Sequence, residues 1–304
     1  MNGILPLYKP RGMTSHDCDA QLRRLFHTRR VGHGGTLDPN VDGVLPICIG
    51  TATKVVDYLV AGGKTYQGEV TLGFATTTED LDGEVFEKTP LTAAFSTAQI
   101  DAQMQTFIGT ITQIPPMFSA VKVKGRRLYD YARAGETVER PQRQVTLTDF
   151  KRLNEPEFDA VAGTQKFRFE VSCSKGTYVR TLAVDLGRKL GVAAVMSALT
   201  RVQSGGFTLA DTIDLDTVAK LSAEDKLATI LRPMETALSA YPQVELTAEQ
   251  WAKVQNGAFL PRAELTQLDE VIALVYDQKI KALYRPHPEY PHLFQPVKMF
   301  LANE

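Results

Sequence analysis

The sequence predicts an α+β protein in two parts, a large core that mixes helices with strands and a small β-rich module behind it. Three observations support this prediction. Apolar residues recur at helical spacing in several segments, as Leu22, Leu25 and Phe26 do. Elsewhere they alternate with polar residues, which is typical of strands. Beyond about Tyr241 the pattern changes to short strand-like runs with one short helix.

The elements of the first third follow in order from these patterns. Gly3 to Tyr8 is apolar and predicts a buried strand, and Thr14 or Ser15 can cap the helix that follows. Val44 to Ile49 predicts a second strand. Thr51 begins a helix that Gly62 and Gly63 end, and an alternating strand then occupies Lys64 to Gly73.

The remaining elements are predicted in the same way. The predicted helices contain Ile100, Met104, Phe107 and Ile108 before Gly109, then Val179 to Leu190 before Gly191, then Thr247 to Asn256. The predicted strands are Lys166 to Ser174, Val192 to Val202, and a hairpin from Val271 to Tyr284 that turns at Asp277 and Gln278.

Composition limits the class of protein. Of the 304 residues, 43% are apolar and 23% are charged, with a formal net charge of −1, which argues against indiscriminate binding of polyanions. No apolar run is long enough to cross a bilayer, and the N-terminus does not resemble a signal peptide. The cysteines Cys18, Cys48 and Cys173 are odd in number and widely spaced. We therefore expect a reducing cytoplasm, with neither a disulfide framework nor a zinc site.

The segment from Arg29 to Pro39 combines glycines, two arginines, His33 and Asp38. Glycines allow close approach of another group, and Pro39 restrains the residue before it, so the Asp38 carboxylate lies on a stiffened turn. The residues alone leave two interpretations open, a site that handles something anionic and an ordinary surface turn.

Residues 113 to 152 mix cations with aromatic rings. Basic residues among aromatics suit phosphate contacts and base stacking, so we favour nucleic-acid binding over a merely solvated surface segment. The residues concerned are Lys122, Lys124, Arg126, Arg127, Arg133, Arg140 and Arg143, with Phe118, Tyr129 and Tyr131.

Two further features carry charge in informative places. Asp80 and Asp82 lie in an acidic loop, where a hydrogen-bonded turn is favoured over a metal site because the calcium-loop pattern is incomplete. Arg180 lies in the first turn of a predicted helix, where a cation opposes the helix dipole. Arg180 therefore needs an anionic partner or a function. The sequence contains no P-loop, HExxH or GxSxG motif.

Taken together and in order, these segments resemble the TruB family of tRNA pseudouridine synthases. Any one of the matching segments is a weak signal, but their order along nearly the whole chain is specific. They are Lys9-Pro10-Arg11-Gly12-Met13-Thr14-Ser15, Gly32-His33-Gly34-Gly35-Thr36-Leu37-Asp38-Pro39, Lys64-Thr65-Tyr66, Thr78-Glu79-Asp80-Leu81-Asp82-Gly83, Pro115-Pro116-Met117-Phe118-Ser119-Ala120 and Ser174-Lys175-Gly176-Thr177-Tyr178-Val179-Arg180.

The resemblance implies conversion of uridine to pseudouridine at position 55 in the T-loop of tRNA, without a metal or an organic cofactor. By the family's motifs Asp38 is the nucleophile, and Arg180 pairs with it. Tyr66 stacks on the flipped base and helps to remove the proton from C5. Order of attack, on the base or on the sugar, is left open.

The resemblance also implies residues that hold the substrate or support the site. Leu199 lines an apolar wall, His33 contacts flipped nucleotides and Lys9 supports the fold nearby; the other expected contacts are Tyr178, Arg126 and Arg127. For His33 a turn histidine with satisfied hydrogen bonds stays an alternative. Two positions depart from the family's pattern. Gly34 replaces a frequent threonine, which would loosen the loop, and Phe118 replaces a tyrosine.

The fold implied by the resemblance is a mixed, largely antiparallel central sheet flanked by helices. Residues 1–240 would form the catalytic domain, with 113–152 as a basic RNA-binding insertion, and residues 241–304 a PUA-like RNA-binding module. We expect a cytoplasmic monomer that needs tRNA but no membrane and no obligate protein partner. Three alternatives are weighed against it: a non-catalytic tRNA-binding or RNA-chaperone protein of the same fold, a guide-RNA-dependent relative, and a metal-dependent hydrolase built on Asp38, Asp80 and Asp82.

Overall fold

The computed structural model describes residues 1–265 and 270–300. Within these ranges the α-helices are Ser15–Leu25 (α1), Val56–Ala61 (α2), Thr97–Gln105 (α3), Leu128–Arg133 (α4), Val179–Leu190 (α5), Leu215–Ala223 (α6) and Ala248–Val254 (α7). The strands are Gly3–Lys9 (β1), Val31–His33 (β2), Asp42–Ile49 (β3), Lys64–Leu72 (β4), Phe74–Thr76 (β5), Val85–Lys88 (β6), Gly109–Gln113 (β7), Lys122–Val123 (β8), Arg126–Arg127 (β9), Arg143–Arg152 (β10), Glu157–Asp159 (β11), Thr164–Cys173 (β12), Ala194–Ser204 (β13), Phe207–Thr208 (β14), Gln243–Glu245 (β15), Leu260–Pro261 (β16), Ile272–Tyr276 (β17), Lys279–Pro286 (β18) and Leu293–Met299 (β19).

Ten strands form the central sheet, which confirms the predicted α+β class. Its main order is β1-β3-β13-β4-β12-β10-β7, and β2, β11 and β14 pair along its sides. The β13–β3 pair is parallel and the other pairs of this sheet are antiparallel. The sheet is therefore mixed and largely antiparallel, as expected.

Alternation of apolar and polar residues places one face of this sheet in the core. In β12, Phe167, Phe169 and Val171 are buried, and the polar residues between them are more exposed. Helix α5 buries Leu182 and Leu186 against the same core, with Gly191 at φ 79° ending it. Residues at strand and helix spacing thus join one hydrophobic cluster, which contributes most of the driving force for folding.

Two predicted boundaries need correction. The helix expected from Thr51 begins as a 3₁₀ turn over Gly50–Val55 before α2. Helix α3 ends at Gln105, and Ile108, although apolar, is 40% exposed just before β7. Within the predicted basic segment of residues 113–152, Arg143–Arg152 forms β10, a strand of the central sheet with Val145 and Leu147 buried.

The C-terminal part forms a second sheet of five strands, in the order β15-β17-β18-β19-β16. The predicted hairpin is confirmed, because Asp277 and Gln278 have φ of 52° and 57° and join β17 to β18. Positive φ at both central residues matches the twist of a two-residue hairpin. Residues 266–269 and 301–304 belong to the predicted module but lie outside the described residues.

A hydrophobic cluster contains side chains from both sheets. Ile4 and Val44 come from the central sheet, and Ala273 and Leu283 come from the second one. Each of these residues is fully buried. No helix in the described ranges is long and apolar enough to cross a membrane.

Candidate active site

The loop that carries Asp38 is fixed by hydrogen bonds to its backbone on both sides of the carboxylate. Leu37 donates its N–H to Ser15 Oγ at 2.9 Å. The fully buried Lys9 donates from Nζ to the Pro39 carbonyl at 3.0 Å. Gly34 donates to the Pro46 carbonyl at 2.7 Å. These bonds hold the backbone of the loop on both sides of Asp38 without using its carboxylate.

Gly34 is well packed, contrary to the expected loosening of the loop. A Cβ atom added at this glycine would lie 2.9 Å from Leu59 Cβ. Such a contact is closer than two carbon atoms tolerate. Leu59 therefore occupies the space that a larger residue at position 34 would need, and the loop stays anchored.

Arg201 supports the same loop through its backbone carbonyls, a function that was not predicted from the sequence. Its side chain is completely buried on β13. It donates from Nε to the Val44 carbonyl at 2.8 Å and from Nη2 to the Gly35 carbonyl at 2.9 Å, while Nη1 lies 3.4 Å from the Thr36 carbonyl oxygen. The fork of one guanidinium thus connects the strand β3 to the loop just before Asp38.

Arg180 lies between two carboxylates. Its Nε is 3.0 Å from Asp38 Oδ2, and its Nη1 is 3.6 Å from Asp80 Oδ2. The same guanidinium donates to the carbonyls of Thr78 at 2.9 Å and of Phe118 at 3.0 Å. Arg180 is buried. The anionic partners explain why a cation is tolerated at the start of α5, where it opposes the helix dipole.

The acidic loop that contains Asp80 and Asp82 is hydrogen-bonded to the Asp38 loop. Asn40 donates from Nδ2 to both carboxylate oxygens of Asp82, at 2.7 and 2.8 Å. Thr78 donates its hydroxyl to Asp80 Oδ1, so the predicted hydrogen-bonded turn is present. The carboxylates of Asp38 and Asp80 already pair with the Arg180 guanidinium, and that of Asp82 accepts from the Asn40 amide. These partners disfavour the hydrolase that would use the three carboxylates as metal ligands.

The environment of Asp38 shifts its acidity. Burial raises the pKa of the Asp38 carboxyl, Arg180 lowers it, and the negative charge of Asp80 raises it again. Its side chain keeps 45% of its surface exposed, but that surface lines two adjoining recesses of about 300 and 270 Å³. Limited solvation in such a recess disfavours the charged form, so the pKa lies above the usual aspartate value.

The smaller recess joins the groups that the sequence singled out. Asp38, Tyr66, Leu199 and Tyr178 line it together with Arg180. Strand register explains part of this, because Tyr66 on β4 is paired with Arg201 on β13, and Leu199 lies two residues earlier on the same face. A carboxylate, an aromatic ring and an apolar wall thus meet around a space suited to a planar base.

Tyr66 is buried, and burial raises the pKa of its phenol, with Arg201 acting in the opposite sense. The phenol is therefore neutral near neutral pH, where its ordinary pKa already lies about 3 units higher. Lys64, which also lines this recess, donates to the carbonyls of Val60 and Gly62, each at 2.9 Å. Burial lowers the pKa of Lys64 to about 8.

Tyr178 is held at the start of α5 by a side chain from the central sheet. Gln113 on β7 accepts the Tyr178 N–H at 2.8 Å and donates to the Tyr178 carbonyl at 3.0 Å. Gln113 is buried, and this helix has no side-chain cap of its own. Gln113 therefore substitutes for a cap and fixes the turn that carries Arg180.

His33 lies beside the loop rather than facing the recess. Its Nδ1 is 2.8 Å from Asp19 Oδ2, and its Nε2 is 3.0 Å from Thr36 Oγ1. Both ring nitrogens are thus engaged within the protein, although by side chains and not by the backbone. A contact with RNA stays a prediction and would require this ring to turn or to use its face.

Arg126 and Arg127 lie on β9, away from the recess. Arg126 forms an ion pair with Glu136 at 2.9 Å and stacks over Tyr131, with its guanidinium carbon 4.4 Å from the ring centre. Arg127 donates to the Tyr129 hydroxyl at 3.1 Å. Their expected contacts with substrate stay predictions, and Arg126 would have to exchange an internal partner for a phosphate.

Some functional positions gave weak signals in the sequence. Asp80 belongs to a segment that carried the resemblance, yet its sharing of Arg180 with Asp38 was not predicted. A charged residue within the apolar β13 could have pointed to Arg201, since burying an unpaired charge is costly. Gln113 offered no such signal. A further cavity of about 760 Å³ lies elsewhere and is lined by Gly3, Trp251 and Tyr276 among other residues.

Comparison with known proteins identifies the family of the chain. The model of the TruB family pseudouridylate synthase (N terminal domain) matches residues 23–179, and that of the tRNA pseudouridylate synthase B C-terminal domain matches residues 180–239. A protein named tRNA pseudouridine synthase B from Lactiplantibacillus plantarum is 58% identical over 307 residues, covering 100% of both chains. The protein of that name from Levilactobacillus brevis is 58% identical over 304 residues, with the same coverage.

Solved structures show the same architecture. A chain of the structure described as a Cbf5-Nop10-Gar1 complex superimposes with a TM-score of 0.74 at 27% identity, covering 98% of this chain and 85% of that one. Because one family model spans half of the chain and relatives at 58% identity match it from end to end, the chain belongs to the TruB family of pseudouridine synthases.

Proposed function

We propose that the protein converts uridine to pseudouridine at position 55 in the T-loop of tRNA. One observation carries the proposal: the Asp38 carboxylate lies 3.0 Å from the buried Arg180, at the edge of a recess that also contains Tyr66 and Leu199. This arrangement offers a nucleophile that is kept ionised beside a surface that fits one base. The relatives named tRNA pseudouridine synthase B support the choice of substrate.

The reaction is an isomerisation, so atoms balance without an oxidant or a second substrate. Attack by the Asp38 carboxylate, on the base or on the sugar, leads to cleavage of the C1′–N1 bond. The uracil turns in the recess, and a C1′–C5 bond forms while the carboxylate leaves. The proton on C5 is lost, and N1 ends protonated.

Each neighbouring side chain then has a defined task. Arg180 keeps Asp38 ionised and aimed, and Asp80 holds Arg180 in place. Tyr66 stacks on the base and helps to remove the C5 proton, which passes to solvent. Leu199 closes the apolar side of the recess.

The target base must leave its stack, which costs a few kcal/mol that contacts with the protein offset. In this proposal Tyr178 and His33 contact the flipped region, and Lys9 supports the loop. The basic segment of residues 113–152 with Arg126 and Arg127 binds phosphates. Residues 241–304 form a PUA-like RNA-binding module behind the catalytic domain of residues 1–240.

We infer a monomer that works in the cytoplasm without an obligate protein partner. The full-length match at 58% identity to a protein named tRNA pseudouridine synthase B favours a stand-alone enzyme over a guide-RNA-dependent one. A non-catalytic RNA chaperone of the same fold would not need the Asp38–Arg180 pair. The presence of this pair favours catalysis.

The test uses Asp38→Asn with an unmodified tRNA transcript, followed by mapping of pseudouridine. We expect the wild type to modify the T-loop, and the variant to lose activity while its affinity for tRNA stays within a few-fold. Asp57→Asn, at an exposed position on α2, is the matched control and should be fully active. Turnover by the Asp38 variant would refute the nucleophile, and modification only outside the T-loop would overturn the substrate.

A further inference from the structure

Three side chains beside the Asp38 loop form a compact group of potential metal ligands. His16 and Asp19 lie one turn apart on α1, and His33 ends β2. Within the described ranges this is the one group of three histidine, cysteine or acidic residues whose donor atoms all lie within 4.8 Å of one another. The two imidazole rings are 5.3 Å apart in an edge-to-face arrangement.

Asp19 gives a second, independent indication of a bound cation. Its side chain is only 3% exposed. Its Oδ2 accepts from His33 Nδ1, but in the described part of the chain its Oδ1 is buried and has no hydrogen-bond partner. A buried carboxylate oxygen without a donor is costly and is often explained by an ion or a water molecule. The unpaired oxygen belongs to the carboxylate at the centre of the group.

The spacing suits a small transition-metal ion. Asp19 Oδ2 is 2.8 Å from His33 Nδ1 and 3.8 Å from His16 Nδ1. Tetrahedral zinc with bonds of about 2.0–2.2 Å places its ligand atoms about 3.3 Å apart, between these two values. The His16 side chain is 76% exposed and can move without disturbing the core. Its exposure also leaves the fourth position open to water.

We propose that His16, Asp19 and His33 bind one divalent transition-metal ion of the zinc type. Two imidazoles and one carboxylate are a usual ligand set for such an ion. The ion binds the lone pair of neutral His33 at Nδ1, and the ring proton then lies on Nε2, from which it is donated to Thr36 Oγ1. The hydrogen bond between His33 Nε2 and Thr36 Oγ1, 3.0 Å long, holds the ring in the orientation that binding needs.

The site connects to the catalytic loop through Thr36, two residues before Asp38. A bound ion holds the His33 ring against Asp19, so that this ring can no longer contact RNA. The ion therefore inhibits modification of tRNA. This consequence rests on the proposed function, whereas the binding itself does not.

Arg23 opposes the ion and tunes its affinity. Its Nη2 is 3.9 Å from Asp19 Oδ2 and donates to the Val31 carbonyl at 3.2 Å. A guanidinium at this distance repels a metal ion bound to the same carboxylate. Arg23→Gln should consequently tighten binding of the ion several-fold.

The test is titration of the untagged, metal-free protein with Co²⁺, followed by visible absorption, and with Zn²⁺, followed by calorimetry. We expect one ion per chain with a tetrahedral Co²⁺ spectrum. His16→Ala should weaken binding about tenfold or more, since a direct ligand matters at least as much as an outer partner. His27→Asn is the control, because His27 is exposed and its φ of 48° suits asparagine.

Binding that His16→Ala leaves unchanged, or the absence of a tetrahedral spectrum, would overturn the site. Activity gives a separate readout. Zn²⁺ should slow the wild-type enzyme and not the His16→Ala variant, whose rate without metal should equal that of the wild type. Equal inhibition of both would overturn the regulatory role while the spectrum still reports on binding. Loss of all activity in metal-free wild type would instead count against the proposed function.

Discussion

At the scale of single residues, one guanidinium serves two carboxylates. Arg180 is buried, contacts Asp38 at 3.0 Å and lies 3.6 Å from Asp80. A buried charge is stable only when it is paired and hydrogen-bonded. The carbonyls of Thr78 and Phe118 accept further hydrogen bonds from this guanidinium. Asp80 thereby supports Arg180, but its negative charge also raises the pKa of the Asp38 carboxyl, which makes Asp38 easier to protonate.

This balance predicts a shift in the pH dependence of Asp80→Asn. The reaction needs ionised Asp38, so the rate is lost as pH falls through the Asp38 pKa, which lies above the usual value of about 3.9. Removing the charge of Asp80 lowers that pKa and should move the acid limb to lower pH, even though the maximal rate falls. Single-turnover rates across pH measure the midpoint, with Asp82→Asn as the control in the same loop. Identical midpoints for the wild type and Asp80→Asn would contradict the assigned coupling.

Arg201 should act as a positioning residue. Lysine keeps the charge but cannot reproduce the fork that bonds the carbonyls of Val44 and Gly35, so Arg201→Lys should let the Asp38 loop shift. A displacement of about 1 Å can cost on the order of 100-fold in rate, whereas tRNA affinity should change little. Single-turnover rate and tRNA binding measure the two effects separately.

The control for Arg201 is Arg152→Lys. Arg152 lies on β10, away from the loop, and is also mostly buried. Its Nε is 3.0 Å from Asp101 Oδ1. It should lower stability without the same loss of rate. If Arg201→Lys modified tRNA at the wild-type rate, the loop would not depend on this guanidinium.

At the scale of elements, the start of α5 depends on a strand that is distant in sequence. The helix presents unpaired N–H groups at its first turn, as every helix does, and Gln113 on β7 fixes this turn by bonding both the N–H and the carbonyl of Tyr178. The basic segment meets the same region, because Phe118 accepts from Arg180. Arg180 thus lies at a junction of a strand, a helix and a loop.

Gln113→Ala should therefore destabilise the protein. It leaves the Tyr178 N–H without its partner and removes one of two donors to the Tyr178 carbonyl, which keeps the Leu182 N–H, at a cost of about 1–3 kcal/mol in the free energy of unfolding. Urea denaturation measures this, and Gln144→Ala on the exposed side of β10 is the matched control. An unchanged free energy of unfolding would mean that water replaces Gln113 at this helix start.

At the scale of the whole molecule, the two sheets share a hydrophobic cluster. Leu283 from β18 and Ile4 from β1 are both completely buried in it. Shared apolar burial couples the stability of the parts, since neither sheet can unfold without exposing the surface of the other. The C-terminal module is therefore expected to unfold together with the catalytic part.

Leu283→Ala tests this coupling. The cavity should lower the free energy of unfolding by about 2–5 kcal/mol, while the transition stays single. Calorimetry and denaturation followed by circular dichroism measure both quantities. Val297→Ala, at a position that is 43% exposed in the same sheet, should change stability by no more than about 0.5 kcal/mol. Two separate transitions in the wild type would show that the shared cluster does not couple the sheets.

The sequence by itself determined the long, strongly periodic elements, because periodicity and turn chemistry are local, but it did not predict α6 or β10. The alternation in β12, the cap at Thr14 and the turn at Asp277 and Gln278 could all be predicted. Ile108 was assigned wrongly because an apolar side chain at helical spacing does not reveal that it is exposed. The resemblance named Asp38, whose neighbours lie far away along the chain.

Only the tertiary structure decided which residues meet. Asp80 and Arg180 are one hundred positions apart, and Arg201 reaches Gly35 across β13 and β3. Pairings of this kind depend on strand register and on the packing of distant elements, for which no local pattern exists. The same reason explains why the group of His16, Asp19 and His33 is visible in the fold and not in the sequence.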